Sequence, residues 1–321
     1  MASSVLLCGD LHLSDKAPSN CSDYYNDDLF VMLEEVVEIA SLRSVSAVVF
    51  AGDIFHLKQA NRTSHRTVQR MIDIIHSFVC PVYLVVGNHD VTHDRVDSIY
   101  ETQPFGVLLK AGARLLDGWS SDFPLYGVSW QQDWQDASKA FTDWTIRANS
   151  HSLLVTHAPI YPPGRELPWE NILASTIATW MNNTGYCYYG HVHPCHGSFE
   201  VDDVVFCNQG ALSRGSLHEE DLTRKPAVTI WYSDRDGVDA FERVAIASAP
   251  PPERVFRLAE CEAKTDYRDR LDLFLNAVRQ SQVSVTSVES VLAQIRSMGL
   301  PGECVMLAEE VLIASISGEL T

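Results

Sequence analysis

A chain of 321 residues, 46% of them hydrophobic, can bury a large core, as one big domain with an appendage or as two domains. Its formal charge of −18 argues against bulk electrostatic attraction to nucleic acid, although bound dications and local basic patches can dominate the field at one site. No run of about 18 apolar residues is present, so no membrane span is expected. The opening Met1-Ala2-Ser3-Ser4 lacks the basic region of a signal peptide and reads as the lead-in to a core strand, so a cytosolic protein is expected. The eight cysteines are scattered, none paired at metal-ribbon spacing, and are read as free thiols.

Val5–Cys8 is a short apolar strand followed by Gly9-Asp10-Leu11-His12. Leu29, Phe30, Leu33, Val36, Val37 and Ala40 recur at helical spacing. Ala47–Ala51 is a second buried strand, ending in Gly52-Asp53, and a helix is expected over 64–78. Val82–Val86 is a third strand, ending in Gly87-Asn88-His89-Asp90. Strand, helix, strand, helix, strand implies a parallel sheet with right-handed crossovers.

Beyond it the pattern predicts one or two short helices and a small strand over 96–117, a strand over 123–130, and a helix over 133–148. Ser152–Thr156 is a strand ending in His157; a helix over 168–182 follows, and then strand Tyr186–Tyr189 ending in Gly190-His191-Val192-His193. Alternation through Phe199, Val201, Val204 and Phe206 predicts a hairpin turning at Asp202-Asp203. A second hairpin is expected from 227–232 and 238–244. Ala249-Pro250-Pro251-Pro252 reads as a stiff linker. It separates a domain over 1–248 from a small C-terminal region over 253–321. That region is expected to hold a strand at 255–258 and helices at 266–281, 286–298 and 302–316.

Polar residues able to bind metal or move protons follow these strands: Asp10, His12, Asp53, Asn88, His89, His157, His191 and His193. Strand ends are where open α/β sheets present their sites. Asp10 and His12 lie at i and i+2, as do His191 and His193, so in extended backbone each pair would share a face. The donors mix imidazole, carboxylate and one amide, which suits Mn, Fe or Zn better than an all-oxygen Ca or Mg site. They exceed what one ion needs. Two ions about 3.5–4 Å apart, bridged by one carboxylate, would clamp the attacking and leaving oxygens of a phosphoryl displacement.

In this order, Asp10-Leu11-His12, Gly52-Asp53, Gly87-Asn88-His89-Asp90, Thr156-His157 and Gly190-His191-Val192-His193 resemble the five blocks of the calcineurin-like metallophosphoesterases over about residues 5–245. The resemblance implies an α/β fold, a four-layer αββα sandwich of two mixed sheets. It implies that Asp10, His12, Asp53 and His193 hold one divalent ion, and that Asp53, Asn88, His157 and His191 hold the other. The ions would be Mn foremost, with Fe, Zn or Mg as options, and Asp53 would bridge them. His89 is then not a ligand. It meets the phosphate or leaving oxygen as an acid while a hydroxide bridging the metals attacks phosphorus. Asp90 either orients a neighbour or stabilises the turn.

Within that superfamily, Gly52-Asp53-Ile54-Phe55-His56, the placement of Asp27-Asp28, and Asn208-Gln209-Gly210-Ala211-Leu212-Ser213-Arg214, with Glu219-Glu220 and Lys225 beyond, look like the SbcD-type DNA repair nucleases. This implies a DNA exonuclease and endonuclease, with His56 helping to place the nucleotide end. It also implies an SbcC-type ATPase partner and a homodimer through helices near 64–78 and 96–110. Two departures stand out. The usual proline after Phe-His is missing, and the locally basic Leu57–Arg66 replaces it, with Lys58, Arg62, Arg66 and, further on, Arg214 as candidate substrate contacts. The C-terminal region is also short, a reduced cap at most, as in a compact bacterial or phage-encoded relative. A cyclic-nucleotide or other small-molecule phosphodiesterase is the alternative, and a metal-binding, partner-recruiting protein with little turnover is the second. No membrane partner is expected.

Overall fold

The structure, a computed structural model, describes residues 3–56, 63–91, 99–164, 171–217 and 219–258, with positions 293, 296, 297, 302, 305 and 306. The chain divides into two compact units, Met1–Phe256 and Arg257–Thr321. Apart from the helical positions just named, the expected C-terminal helices lie outside the described residues.

The first unit begins with β1 (Ser4–Cys8), α1 (Tyr25–Leu42), β2 (Ala47–Ala51), α2 (His65–Ser77) and β3 (Val82–Val85). Helices α3 (Ile99–Thr102) and α4 (Pro104–Lys110) lead to β4 (Arg114–Leu115). Strands β1 to β4 pair in parallel. Continuous apolar runs form them because both faces are covered; every residue of β2 and β3 is buried. Helix α1 turns Leu29, Phe30, Leu33 and Val36 inward. Helix α2 starts where Ser64 caps it: Ser64 Oγ accepts from Thr67 N at 3.3 Å, and Thr67 Oγ1 donates to Asp15 at 2.5 Å.

The second half adds β5 (Gly118–Trp119), β6 (Leu125–Val128), a 3-10 segment Trp134–Phe141, α5 (Thr142–Arg147), β7 (Leu153–His157), β8 (Ile160–Tyr161), β9 (Ile172–Leu173) and α6 (Ala174–Trp180). It ends with β10 (Tyr186–Gly190), β11 (Gly197–Val201), β12 (Val204–Asn208), α7 (Glu219–Thr223), β13 (Ala227–Tyr232), a 3-10 turn Gly237–Ala240, β14 (Phe241–Ala245) and α8 (Pro252–Val255). Two mixed six-stranded sheets result, ordered β14-β13-β1-β2-β3-β4 and β11-β12-β10-β7-β6-β5. Alternate strand residues fill the space between them: Leu7, Val49 and Val85 from one sheet meet Val155, Tyr188 and Cys207 from the other. The opposite face of the second sheet, with Leu154 and Phe206, packs against Trp144 and Ile177 of α5 and α6. On the first sheet Phe50 meets Phe78, at the end of α2, edge to face. The layers therefore run helix, sheet, sheet, helix.

Several expectations need correction. The helix expected over 133–148 is a 3-10 segment followed by a short α-helix. Ile172–Leu173, expected as helix, pairs in parallel with Ile160–Tyr161, and the helix begins at Ala174. The last strand starts at Phe241 rather than Val238, because Gly237 turns the chain at φ 60° into a 3-10 turn. Pro252 opens a helix, and of the strand expected at 255–258 there is an isolated bridge between Phe256 and Cys21. The hairpin at Asp202-Asp203 is as expected; both residues have positive φ, 50° and 63°, as the tight turn that matches strand twist requires. Among the described residues no helix is long and apolar enough to cross a membrane.

Candidate metal centre

The C-terminal ends of β1, β2, β3, β7 and β10 meet at one edge, where β2 and β3 approach β7 and β10 approaches β2 across the sandwich. The backbone there is not extended, contrary to the face-sharing expected of Asp10 and His12. Asp10, His12, Asp53 and His191 have φ of 55°, 49°, 51° and 80°, a left-handed conformation costing about 1 kcal/mol or more for a residue with a Cβ. Neighbouring chain holds it. Asp10 N donates to Gly52 O at 3.1 Å, His12 N to Asp53 O at 3.0 Å, and His191 N to Asp10 Oδ1 at 3.0 Å. Two glycines let the turns close: a Cβ on Gly52 would enter the His157 ring, and one on Gly87 would enter the Asp53 carboxylate.

Two groups of donors face each other. In one, His12 Nε2 lies 3.0 Å from His193 Nε2, and His193 Nε2 lies 3.8 Å from Asp10 Oδ1. In the other, Asn88 Oδ1 lies 3.0 Å from both His157 Nε2 and His191 Nδ1. Asp53 sits between them, with Oδ2 3.6 Å from His12 Nε2 and 3.4 Å from His157 Nε2. Ligands about 2.1 Å from one ion lie about 3.0–3.4 Å apart in octahedral or tetrahedral geometry, so most of these spacings are those of ligand sets.

The protons make the same point. His157 Nδ1 lies 2.8 Å from Ala51 O, a group that can only accept, so Nδ1 carries the proton. In the neutral ring Nε2 then turns a lone pair toward the oxygens of Asn88 and Asp53. A second proton or a cation must relieve that opposition. Burial lowers the His157 pKa, but Asp53 and Asp10 outweigh it and lift it to about 9. Burial works against the Asp53 carboxylate, yet His157 and His12 hold it well below the usual range. Burial and neighbouring His157 bring His191 down to about 3, and burial holds His12 well below the usual imidazole value. Imidazoles facing ionised or amide oxygens, one of them with its second nitrogen tied to a backbone carbonyl, are how metal-ligating histidines are held. The donor set fits two divalent ions.

Residues 3–195 match the family model described as calcineurin-like phosphoesterase. The chain belongs to that family. Similar solved structures include TT1561 of Thermus thermophilus, 11% identical over 77% of this chain and 100% of that one, TM-score 0.49. They also include Yfce, a phosphoesterase from E. coli, at 17% identity over 76% and 99%, TM-score 0.36. A third is a dimetal phosphatase from Danio rerio, at 11% identity over 76% and 99%, TM-score 0.44.

In this calcineurin-like phosphoesterase all seven expected ligands are gathered at one edge. His89 lies beside them: its N donates to Asp53 Oδ1 at 2.8 Å, and its Nδ1 donates to His56 O at 2.5 Å. His56 stacks on His89 with ring planes 14° apart, and its Nδ1 is 3.5 Å from His12 Nδ1. Arg66 is exposed in the first turn of α2, and Lys58 and Arg62 lie outside the described residues. Arg214 corrects an expectation. Expected as a substrate contact on an accessible surface, it is 5% exposed and its guanidinium donates to Pro250 O, so it ties the chain together in the interior.

Asp90 stabilises the turn, one of the two roles open to it, and two further features went unread: its reach to the segment after β2, and the place of Trp130. Asp90 is a clamp: Oδ1 accepts from Ile54 N at 3.0 Å and Phe55 N at 3.3 Å, and Oδ2 from Gly87 N at 3.0 Å. Burial and Asp53 push its carboxyl up to about 8, against the pull of the Gly87 amide. Trp130 lies against the ligands, its ring centroid 4.9 Å from that of His191. A lone Trp after a strand carries no sequence signal of such a place.

Proposed function

We propose that this centre hydrolyses phosphodiester bonds with two divalent ions, Mn foremost, and that its substrate is DNA. The observation that carries the reading is Asp53, shared between two donor sets, with the backbone amide of the nonligand His89 donating to its other oxygen. When bound, the ions supply Lewis acidity and an activated water for attack on phosphorus. Asp10, His12 and His193 form one half of the cradle, and Asn88, His157 and His191 the other, with Asp53 common to both.

His89 supplies the proton. Its Nδ1–H is committed to the His56 carbonyl, so Nε2 is the ring position that exchanges. Protonated there, it neutralises the departing alkoxide, a contribution of about 10²–10⁴ in rate. His56 does two things. Its carbonyl fixes the His89 tautomer, and its half-buried ring, stacked on His89, extends the imidazole wall along which a nucleotide end would lie.

Charge favours a second reading. At −18 overall, with Arg214 turned inward, little basic surface is described for a DNA backbone, and a small or cyclic phosphodiester needs none. Mn-loaded protein incubated with labelled single- and double-stranded DNA and with cyclic nucleotides decides between them. DNA cleavage is expected. Turnover of cyclic nucleotides beside intact DNA would exclude the nuclease.

A further inference from the structure

We propose that Trp130 is a specificity-determining wall of this centre, stacking on a planar aromatic arm of the substrate, a nucleobase, on the side away from the proton donor. The inference rests on the phosphodiesterase reading and adds to it which arm is recognised and by what.

The two flanks of the donor sets differ in chemistry. On one, His12 is covered by the imidazoles of His56 and His89, at ring centroid distances of 5.5 Å and 5.0 Å. On the other, the indole of Trp130 covers His191 at 4.9 Å, tilted 36°, and reaches within 6.1 Å of His157. A phosphodiester has two ester arms. The leaving arm lies by His89, which protonates it. The arm that stays on phosphorus then has the other flank, and there it meets an indole. A base has a π-face whatever its sequence, and an indole is the largest aromatic platform a protein offers for it.

Trp130 is held ready for this role. Its amide donates to Val86 O at 2.9 Å, at the end of β3. Two residues earlier, Val128 O accepts from Thr156 Oγ1 at 2.8 Å, next to His157. Ser129 N donates to Asp117 Oδ1 at 3.2 Å. Trp134 packs edge to face on the indole at 6.2 Å. The ring is half-buried against the core of the second sheet. A preorganised ring loses little freedom on stacking.

The test measures affinity, so it does not depend on turnover. Mn-loaded wild-type protein is titrated with thymidine 5′-monophosphate and with deoxyribose 5-phosphate, which lacks the base. The nucleotide is expected to bind roughly ten-fold more tightly, the size of one base–aromatic stack. W130F should keep most of that ratio, and W130A should bring it close to one. Equal affinity of the wild type for both ligands would overturn the proposal without recourse to any variant. So would a W130A protein that binds both ligands more weakly by the same factor, which would make the indole a mere buttress of His191. A protein that cleaves no diester yet binds with base-dependent affinity through Trp130 retains the wall and loses the proposed activity. One that cleaves diesters with no regard for the base does the reverse.

Discussion

Replacing Asp90 tests how the proton donor is held. The carboxylate is 2% exposed and accepts three backbone N–H groups, from Ile54, Phe55 and Gly87. It joins the corner after β3 to the segment after β2. That segment includes His56, whose carbonyl receives the His89 Nδ1–H. D90A leaves three buried donors without partners, each costing about 1–3 kcal/mol. The sum is comparable to the whole stability of a typical domain, so D90A is expected to be poorly folded. D90N, compared with the wild type above about pH 8 where Asp90 is ionised, is the informative variant. Its carbonyl oxygen still accepts from Ile54 and Phe55, but its NH₂ group opposes the Gly87 amide, leaving one donor unmatched at about 1–3 kcal/mol. The 54–56 segment relaxes and the His89 ring loses its fixed seat. Displacements on the order of 1 Å cost about 100-fold in rate. Urea unfolding of D90N should show that loss of stability, and steady-state kinetics on a chromogenic diester should show kcat falling far more than KM changes. D90E, with both carboxylate oxygens, should recover part of kcat. Wild-type kcat in a folded D90N protein would refute the chain of contacts from Asp90 to His89.

Other outcomes follow from the same geometry. H89N should bind two ions by elemental analysis yet lose about 10²–10⁴ in kcat; loss of an ion would make His89 a ligand. G87A drives a Cβ into the Asp53 carboxylate and should lower metal stoichiometry before it lowers helix content by circular dichroism. His157 is raised to about 9 in the metal-free protein, so at pH 7 it carries a proton that a metal must displace. Calorimetric titrations in buffers of different ionisation enthalpy should show proton release on Mn binding. Affinity should fall as pH falls below about 9, and pH-independent binding from 6 to 8 would contradict the assignment.

The sequence carried the strands well because burial on both faces leaves an unbroken apolar signature, as in Ala47–Ala51 and Val82–Val85. The donors were legible because each follows such a run. What failed was local backbone. Nothing in the period of the chain distinguishes a 3-10 segment such as Trp134–Phe141 from an α-helix, since both repeat apolar residues every three or four positions. Arg214 was misjudged because its charge suggests a surface place. Its burial depends on Pro250, 36 residues later, which supplies the carbonyl it needs. The turn bond from Gly87 to Asp90 was within reach of the sequence, but the place of Trp130 and the bonds from Ile54 and Phe55 to Asp90 are products of tertiary contact, for which spacing along the chain gives no sign.

The left-handed backbone ties these observations together. Asp10, His12, Asp53 and His191 are all non-glycine residues with positive φ, and all belong to the donor sets. A residue left to its own preferences would extend the strand and carry its side chain to a sheet face. The turns persist because neighbouring loops bond to one another, from His12 N to Asp53 O and from Leu13 N to Ile54 O, and because Asp90 fixes the loop between them. Strain gathered at one edge therefore positions donors that would otherwise disperse. Like-charged or lone-pair-bearing atoms brought this close disfavour the metal-free fold, and ions that bind the folded state alone stabilise it by mass action. Melting temperature should therefore climb with Mn concentration in the wild type, and the climb should be much reduced in G87A, where the Asp53 carboxylate is displaced.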